Sequence, residues 1–372
     1  MAGTSDDRDH SPPDAAPPPP PDTAPTPPPD TAPAASPSHM AVSWSERALA
    51  WGARRVRVWA RRLQTQRTTV GPMRKVALAA LFVPVFSVWL ALLRLHSWRR
   101  GGIALVAETD GGMRLRCRPP DLVPMYIYLF GLWEPDLTAF LRQRLRPGGV
   151  FIDVGANIGY YGLEAARFLG PGGRVVAIEP APWILAELRH NVRINDLDDR
   201  VRVVDRAAAG SVGMVDLYAG PAMNVGLTTT VASRGFRRTA TVEAAPLGSL
   251  LEPEECRRAA VIKIDVEGAE AGVIDGLIEL LPILPHDVDL LIELSPAWWP
   301  DRSRTPDQIL APLCAAGFRA FTMENSYWPW RYLWPRCCAP PRAVRGPLPA
   351  AVKRIDLLLT RRAPVADGPS PV

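Results

Sequence analysis

Phe151-Ile-Asp153-Val-Gly155-Ala-Asn157-Ile-Gly159-Tyr160-Tyr161 is the stretch from which the rest of the chain is read. An apolar strand over Val150–Val154 runs into a glycine-rich turn, and a helix is expected over Tyr160–Leu169. Glycines let the backbone reach positive φ and approach a ligand closely. A helix N-terminus offers unpaired N–H groups to an anionic or polar group. The combination points to a nucleotide-like cofactor held by main chain. The spacing is Gly-x-Asn-x-Gly, which differs from the Gly-x-Gly-x-x-Gly of dinucleotide folds. A plain strand-to-helix turn would also accommodate these glycines. Asp153, just before the turn, is a candidate acceptor for a cofactor amino group.

Two more features fall on the same rim. Glu179 ends the next apolar strand, in VVAIEP, about 20 residues beyond the turn, where a carboxylate can hold a ribose diol. A buried strand-end carboxylate without a partner is costly, so a ligand explains it naturally. Further on, Lys263-Ile-Asp265-Val-Glu267-Gly268-Ala269-Glu270 ends the fourth strand, and Glu293 ends the fifth in LLIEL. Ligands of doubly wound sheets bind outside the carboxyl ends of the strands. Asp153, Glu179, Asp265 and Glu267 therefore converge on one edge. For Glu267 and Glu270 the competing reading is a charge pair favoured by the helix dipole.

The strands expected are Val150–Val154, Arg174–Ile178, Val201–Val204, Val261–Asp265, Asp289–Leu294, Phe318–Met323 and Arg354–Thr360. Helices are expected between most of them, over Tyr160–Leu169, Pro182–Ile194, Ala269–Leu281 and Pro306–Ala316. Near-continuous apolar strands alternating with helices imply a buried, mostly parallel sheet in an α/β fold of Rossmann-like type. Between Met214 and Leu251, MVDLY and TATVEA alternate at period two and suggest a β insertion. ALVAETDGGMRLRCRPP, after Ile103, suggests a hairpin around Asp110-Gly111-Gly112.

The first 100 residues are different. Many of the 41 prolines crowd residues 1–40, a composition that cannot bury enough apolar surface to fold. Residues 41–100 are read as a basic and hydrophobic helical extension, 101–362 as the main domain and 363–372 as a frayed tail. From Val42 to Lys75 there are nine basic residues and one acid, Glu46, within a chain of net charge +5. Such a block suits an anionic surface, and it also suits a solvated helix face. Residues 76–93, VALAALFVPVFSVWLALL, carry no charge and contain Pro84. They are slightly short for a hydrocarbon core of about 30 Å. The positive-inside rule would place the main domain of a single-span protein outside the cytoplasm. A peripheral or membrane-dipping helix, with the domain in the cytoplasm and residues 43–93 facing an anionic membrane, or an extension packed on the main domain, fits better. Cys117, Cys256, Cys314, Cys337 and Cys338 form neither a disulfide framework nor a zinc spacing.

The blocks Trp133-Glu134-Pro135, FIDVGANIGYY, VVAIEP, the pair Asn191 and Asn195, VIKIDVEGAEAGVIDG and LLIEL, in this order, resemble the FkbM-type family of S-adenosyl-L-methionine-dependent methyltransferases. The resemblance spans roughly Met125 to Thr360. It implies a seven-stranded class I methyltransferase sheet, with S-adenosyl-L-methionine at Asp153, Gly155, Asn157, Gly159 and Glu179. Glu134 would cover the cofactor or cap the helix that follows. The resemblance further implies methylation of a hydroxyl on a sugar, polyketide or other secondary metabolite. Where the family often has Asn-x-Gly-x-Ser-Ser, this chain has Asn224-Val-Gly226-Leu-Thr228-Thr229, which keeps hydroxyls and adds bulk.

Methyl transfer to an alcohol needs alignment and benefits from a general base. None of His10, His39, His96, His190 and His286 lies in a rim motif, so Asp265 and Glu267 are the expected catalytic carboxylates. Nothing in their spacing demands a metal. Trp298-Trp299-Pro300 and Tyr327-Trp328-Pro329-Trp330 suit an apolar or sugar acceptor, plain packing or a membrane interface equally. A non-catalytic membrane-associated scaffold on the same fold is the main alternative, favoured by the basic and apolar extension. A nicotinamide oxidoreductase is disfavoured by the glycine spacing. A nucleic-acid partner is not expected, because the basic excess lies outside the catalytic region.

Overall fold

Seven apolar segments alternate with helices in the chain, and the structure stacks all seven into one sheet. The computed structural model describes residues 43–65, 72–100, 102–220, 228–232, 235–333 and 339–363. The Pro-rich segment 1–40, Asn224, Gly226, Cys337, Cys338 and all but the first residue of the expected tail lie outside them.

Two long helices, α1 (Trp44–Thr65) and α2 (Pro72–Arg100), precede a ribbon of β1 (Leu105–Glu108) and β2 (Arg114–Cys117). Helices α3 (Leu122–Phe130) and α4 (Pro135–Arg144) follow. The first doubly wound half is β3 (Val150–Val154), α5 (Tyr160–Leu169), β4 (Arg174–Ile178), α6 (Pro182–Arg193) and β5 (Val201–Val204). An inserted stretch holds β6 (Ala207–Ala208), β7 (Gly213–Ala219), β8 (Thr228–Thr229) and β9 (Arg237–Ala245). Two short helices, α7 (Leu247–Leu250) and α8 (Pro253–Arg257), lead back to β10 (Ala259–Ile264) and α9 (Glu270–Leu280). The chain closes with β11 (Asp289–Leu294), α10 (Pro306–Ala315), β12 (Arg319–Thr322), α11 (Pro329–Leu333), β13 (Arg342–Ala343) and β14 (Ile355–Thr360).

The main sheet has the order β13-β12-β14-β11-β10-β3-β4-β5. It is parallel from β5 to β11, and β14 runs antiparallel between β11 and β12. The sheet thus contains the seven expected strands and one strand more. The eighth, β13, is two residues long and pairs only with β12 at the edge. The inserted strands form their own four-stranded sheet, β6-β9-β7-β8. The ribbon around Asp110–Gly112 forms as expected, with Leu105 opposite Cys117.

Alternation at period two sends neighbouring residues of each strand to opposite faces, and both faces are buried. Phe151, Val175, Val261 and Leu291 join a core shared with the helices before and within the first half. Ile152, Val176, Ile262 and Ile292 join a second core under α9 and α10. To the first core α1 contributes a buried stripe of Leu49, Ala53, Val56, Ala60 and Leu63, at alternating spacings of four and three. The described residues from Trp44 onward belong to one unit by their contacts. The helical extension is therefore seated on the main domain: α1 packs against α2 and α3, and Arg61 pairs with Asp110 of the ribbon.

Candidate active site

The turn after β3 is built by main chain. Gly155 has φ 86°. The N–H groups of Gly155 and Ala156 both donate to the Ile178 carbonyl, at 2.9 and 3.0 Å, which ties the turn to the end of β4. A Cβ on Gly155 would overlap the carbonyl oxygen of Asp265, so only glycine fits where these two backbones meet. Asn157 adopts φ 51°, and its Oδ1 accepts the N–H of Ile158 at 2.7 Å. A short polar side chain tolerates this left-handed position where a branched one would not. Gly159, at φ 92°, starts α5.

Glu179 faces this turn from the end of β4. Its carboxylate accepts the N–H of Asn157 at 2.9 Å and that of Ala181 at 3.0 Å. It is almost fully buried. Burial pushes its carboxyl up to about 7, while the two N–H bonds pull the other way. Each carboxylate oxygen can accept further hydrogen bonds.

The end of the neighbouring strand β10 is crowded with charge. Lys263 and Asp153 sit at paired positions of adjacent parallel strands, and Asp265 lies two residues beyond Lys263 on the same face. The Lys263 Nζ is 3.1 Å from Asp265 and 3.8 Å from Asp153. Burial alone would lower the lysine pKa, but the charges of Asp265 and Asp153 outweigh it and raise it. Burial pushes Asp153 up to about 6 against the pull of Lys263, and neither of its oxygens has a hydrogen-bond partner among the described residues.

Glu134 occupies the N-cap position of α4 at φ 41°, yet its side chain makes no cap bond. It accepts from the hydroxyls of Tyr161 and Tyr327 and from the amide of Asn325. Beyond it, Arg354 stacks over Tyr327 at 4.1 Å and pairs with Asp356 at 3.4 Å and Glu293 at 4.0 Å. Burial, then the charges of Asp265, Asp356 and Glu267, hold the Glu293 carboxyl well above the ordinary range.

The site encloses a cavity of about 380 Å³, within the usual range for a small-molecule site. Gly155, Asn157 and Glu179 line it together with Glu134, Tyr161, Lys263, Asp265, Glu267 and Glu293. Thr228, Thr229 and Thr230 reach it from the insertion, and the Thr229 hydroxyl donates to the Glu267 carbonyl at 2.7 Å. The residues present fit a nucleoside cofactor. A diol would complete the hydrogen bonding of a buried carboxylate that otherwise meets only two main-chain donors. Asp265, Glu267 and Glu293 can bring carboxylate oxygens within 4.8 Å of one another, a grouping that could also hold a cation. Lys263 already supplies a positive charge to Asp265 there.

Residues 153–320 match the model of the methyltransferase FkbM domain. That match is consistent with an FkbM-type methyltransferase. The cofactor that goes with this family is S-adenosyl-L-methionine. A protein of Pyrobaculum calidifontis described as a probable cobalt-precorrin-6B C(15)-methyltransferase (decarboxylating) is 37% identical over 71 residues, 19% of this chain. The chain spans about a third of that relative's length, 36%. Among solved structures, an S-adenosylmethionine-dependent O-methyltransferase of Thermotoga maritima has 17% identity and a TM-score of 0.35, covering 70% of this chain and 78% of its own. An O-methyltransferase of Bacillus cereus in complex with S-adenosylhomocysteine has 14% identity and a TM-score of 0.32, covering 60% and 78%.

Of the residues singled out in the FkbM-type motifs, Glu134, Gly155, Asn157, Glu179, Asp265 and Glu267 reach the cavity. Asp153 and Gly159 do not line it: Asp153 lies behind the wall against Lys263, and Gly159 opens the helix. Glu270 is fully buried and accepts from Trp299 Nε1 at 2.7 Å and Gly268 N–H at 2.6 Å. Trp299 is thus a packing residue, whereas Trp298 and Tyr327 line the cavity. Among the described residues no histidine does. Asn191 bridges the β2 backbone (Arg116 N–H, 2.7 Å) to the glycine turn (Ile158 carbonyl, 2.9 Å), which gives that family asparagine a structural task. Sequence reasoning assigned no role to Lys263, Tyr161, Asn325, Arg354 or Asp356. Only Lys263 left a signal, as a charge inside an otherwise apolar buried strand.

Proposed function

We propose that this chain transfers the methyl group of S-adenosyl-L-methionine to a hydroxyl of a small molecule: a sugar, polyketide or other secondary metabolite. The observation that carries this reading is the cavity itself, lined by Glu179, Asp265 and Glu267. Bound there, the cofactor supplies a methyl group already activated by its positively charged sulfur. Glu179 holds the ribose hydroxyls, and the main chain of Gly155 and Asn157 shapes the floor beneath them. Glu134, fixed by Tyr161, Tyr327 and Asn325, closes the side of the site. Asp265, with Glu267 beside it, takes the proton of the acceptor hydroxyl. Lys263 orients Asp265, and Asp153 anchors Lys263 from behind. That last role replaces the expected contact between Asp153 and the cofactor amino group.

We also infer that the α1–α2 hairpin meets an anionic membrane surface on its cytoplasmic side, in keeping with a single acid, Glu46, among residues 44–100. Incubation with methyl-tritiated cofactor and a panel of hydroxylated sugars and polyketides tests the catalytic reading. Label in an ether methyl of one acceptor supports it. Label in carbon- or nitrogen-methyl groups only would replace it with another methyl transfer.

A further inference from the structure

The α2 helix carries an apolar surface that the other described residues leave open. Within Val76–Arg100 an 18-residue window reaches a mean hydropathy of 2.5, and only 22% of that window is buried. Phe82, Trp89 and Leu93 turn inward to α1, while Val76, Leu81, Val85, Val88, Leu92 and Leu95 stand exposed, Leu81 and Val88 at 61%. So large an apolar face on one helix marks an interaction surface.

The neighbour of α2 decides how a bilayer can meet that face. Helix α1 runs antiparallel beside it: Trp59 packs edge-on against Phe82, the Trp89 Nε1 donates to the Leu49 carbonyl at 3.3 Å, and Glu46 lies 4.0 Å from His96. Helix α1 also carries the exposed arginines Arg47, Arg54, Arg55 and Arg62. If α2 crossed the bilayer, α1 would have to follow it and take arginines into hydrocarbon, which is costly. Leaving α1 behind would strip its buried stripe from Phe82, Trp89 and Leu93.

We infer that α2 lies in the plane of an anionic membrane, its exposed face sunk to the acyl boundary and the α1 arginines at the phosphates. This deepens the membrane reading given above and rests on it. Charge complementarity favours lipid over a second copy of the chain, because Arg94, Arg99 and Arg100 add to the arginines of α1. The exposed Trp44, Trp51 and Trp98, at 86%, 56% and 80%, suit the headgroup level.

The test uses the full chain and vesicles of phosphatidylcholine with or without phosphatidylglycerol. An environment-sensitive fluorescent amino acid is placed in turn at Leu81, Val88 and Leu95, and quenched by lipids labelled at graded depths. The inference expects flotation with the anionic vesicles, about tenfold weaker in a Val85→Asp/Leu92→Asp variant, and one shared shallow depth at all three positions. A deepest point at Val88 with shallower flanks would mean a span; it would overturn the in-plane geometry and keep the membrane reading. Failure to float, with or without self-association abolished in the double variant, would overturn both. Binding of S-adenosylhomocysteine, measured on the same samples, reads the cofactor site separately.

Discussion

Two parts of the cavity are built in opposite ways. The part around the glycine turn, where we propose the cofactor binds, is a short loop and one carboxylate: Gly155 and Asn157 shape it with main chain, and Glu179 is held by two N–H groups. The other part is a charged network drawn from distant segments, with Glu134 bonded to Tyr161, Asn325 and Tyr327, and Lys263 between Asp153 and Asp265. A cofactor common to many acceptors can be held by local geometry. Choosing and deprotonating one acceptor takes several side chains in a fixed constellation, and that needs tertiary structure.

Substitutions in one part or the other can break or sharpen this comparison. The largest effect is expected from Asp265→Asn. Turnover on the acceptor found by the labelled-methyl screen should fall by roughly 10²–10⁴-fold, the usual worth of a general base. Affinity for S-adenosylhomocysteine should hardly change, and a parallel loss of affinity would show that the two parts are not separable. Gly155→Ala should disturb both parts, because the glycine turn and Asp265 meet there. The added Cβ meets the Asp265 carbonyl at a positive φ, so cofactor affinity should drop by about tenfold or more, with a lower Tm from strain of roughly 1–3 kcal/mol.

The carboxyl of Glu179 gives a pH signature. Burial raises it from 4.5 to about 7, so the folded protein without cofactor binds a proton that the unfolded chain releases. The stability that goes with this proton is complete below about pH 4.5 and is lost as pH rises through 7. Glu179→Gln should therefore raise the Tm of the cofactor-free protein at pH 8, by about 5 °C, and change it little near pH 5. An equal shift at both pH values would mean that the carboxyl is not perturbed. The smallest effect is expected away from both parts. Trp299→Phe removes one donor to the buried Glu270 carboxylate, costing about 1–3 kcal/mol in urea unfolding while kcat/KM stays within about twofold.

Legibility in the sequence follows the same division. The strand runs, the glycine turn and the carboxylates at 179 and 265 are local patterns, so Val150–Val154, Arg174–Ile178 and Tyr160–Leu169 form where periodicity and glycine placement put them. Six of the eight proposed site residues reach the cavity. Asp153 does not line the cavity, because its carboxylate turns to Lys263 on the neighbouring strand, a partner that the sequence of β3 alone does not show. Glu134 could not be separated from a capping residue, because its hydroxyl and amide donors come from residues 161, 325 and 327. Asp356 lies on β14 and Arg354 just before it, and the antiparallel insertion of that strand beside β11 brings the far end of the chain to the rim. Packing of α1 on the main domain is one of the readings its sequence allows, but the pairing of Arg61 with Asp110 comes only from the fold.

The most direct test of the account is calorimetric titration of S-adenosylhomocysteine into the full-length protein and its Glu179→Ala and Asp265→Asn variants. The account expects saturable binding to the parent and to Asp265→Asn, and a loss of about tenfold or more in Glu179→Ala, since a buried charged hydrogen-bond acceptor is worth roughly 1.5–3 kcal/mol. Equal binding by the parent and Glu179→Ala would place the cofactor elsewhere and contradict the site described.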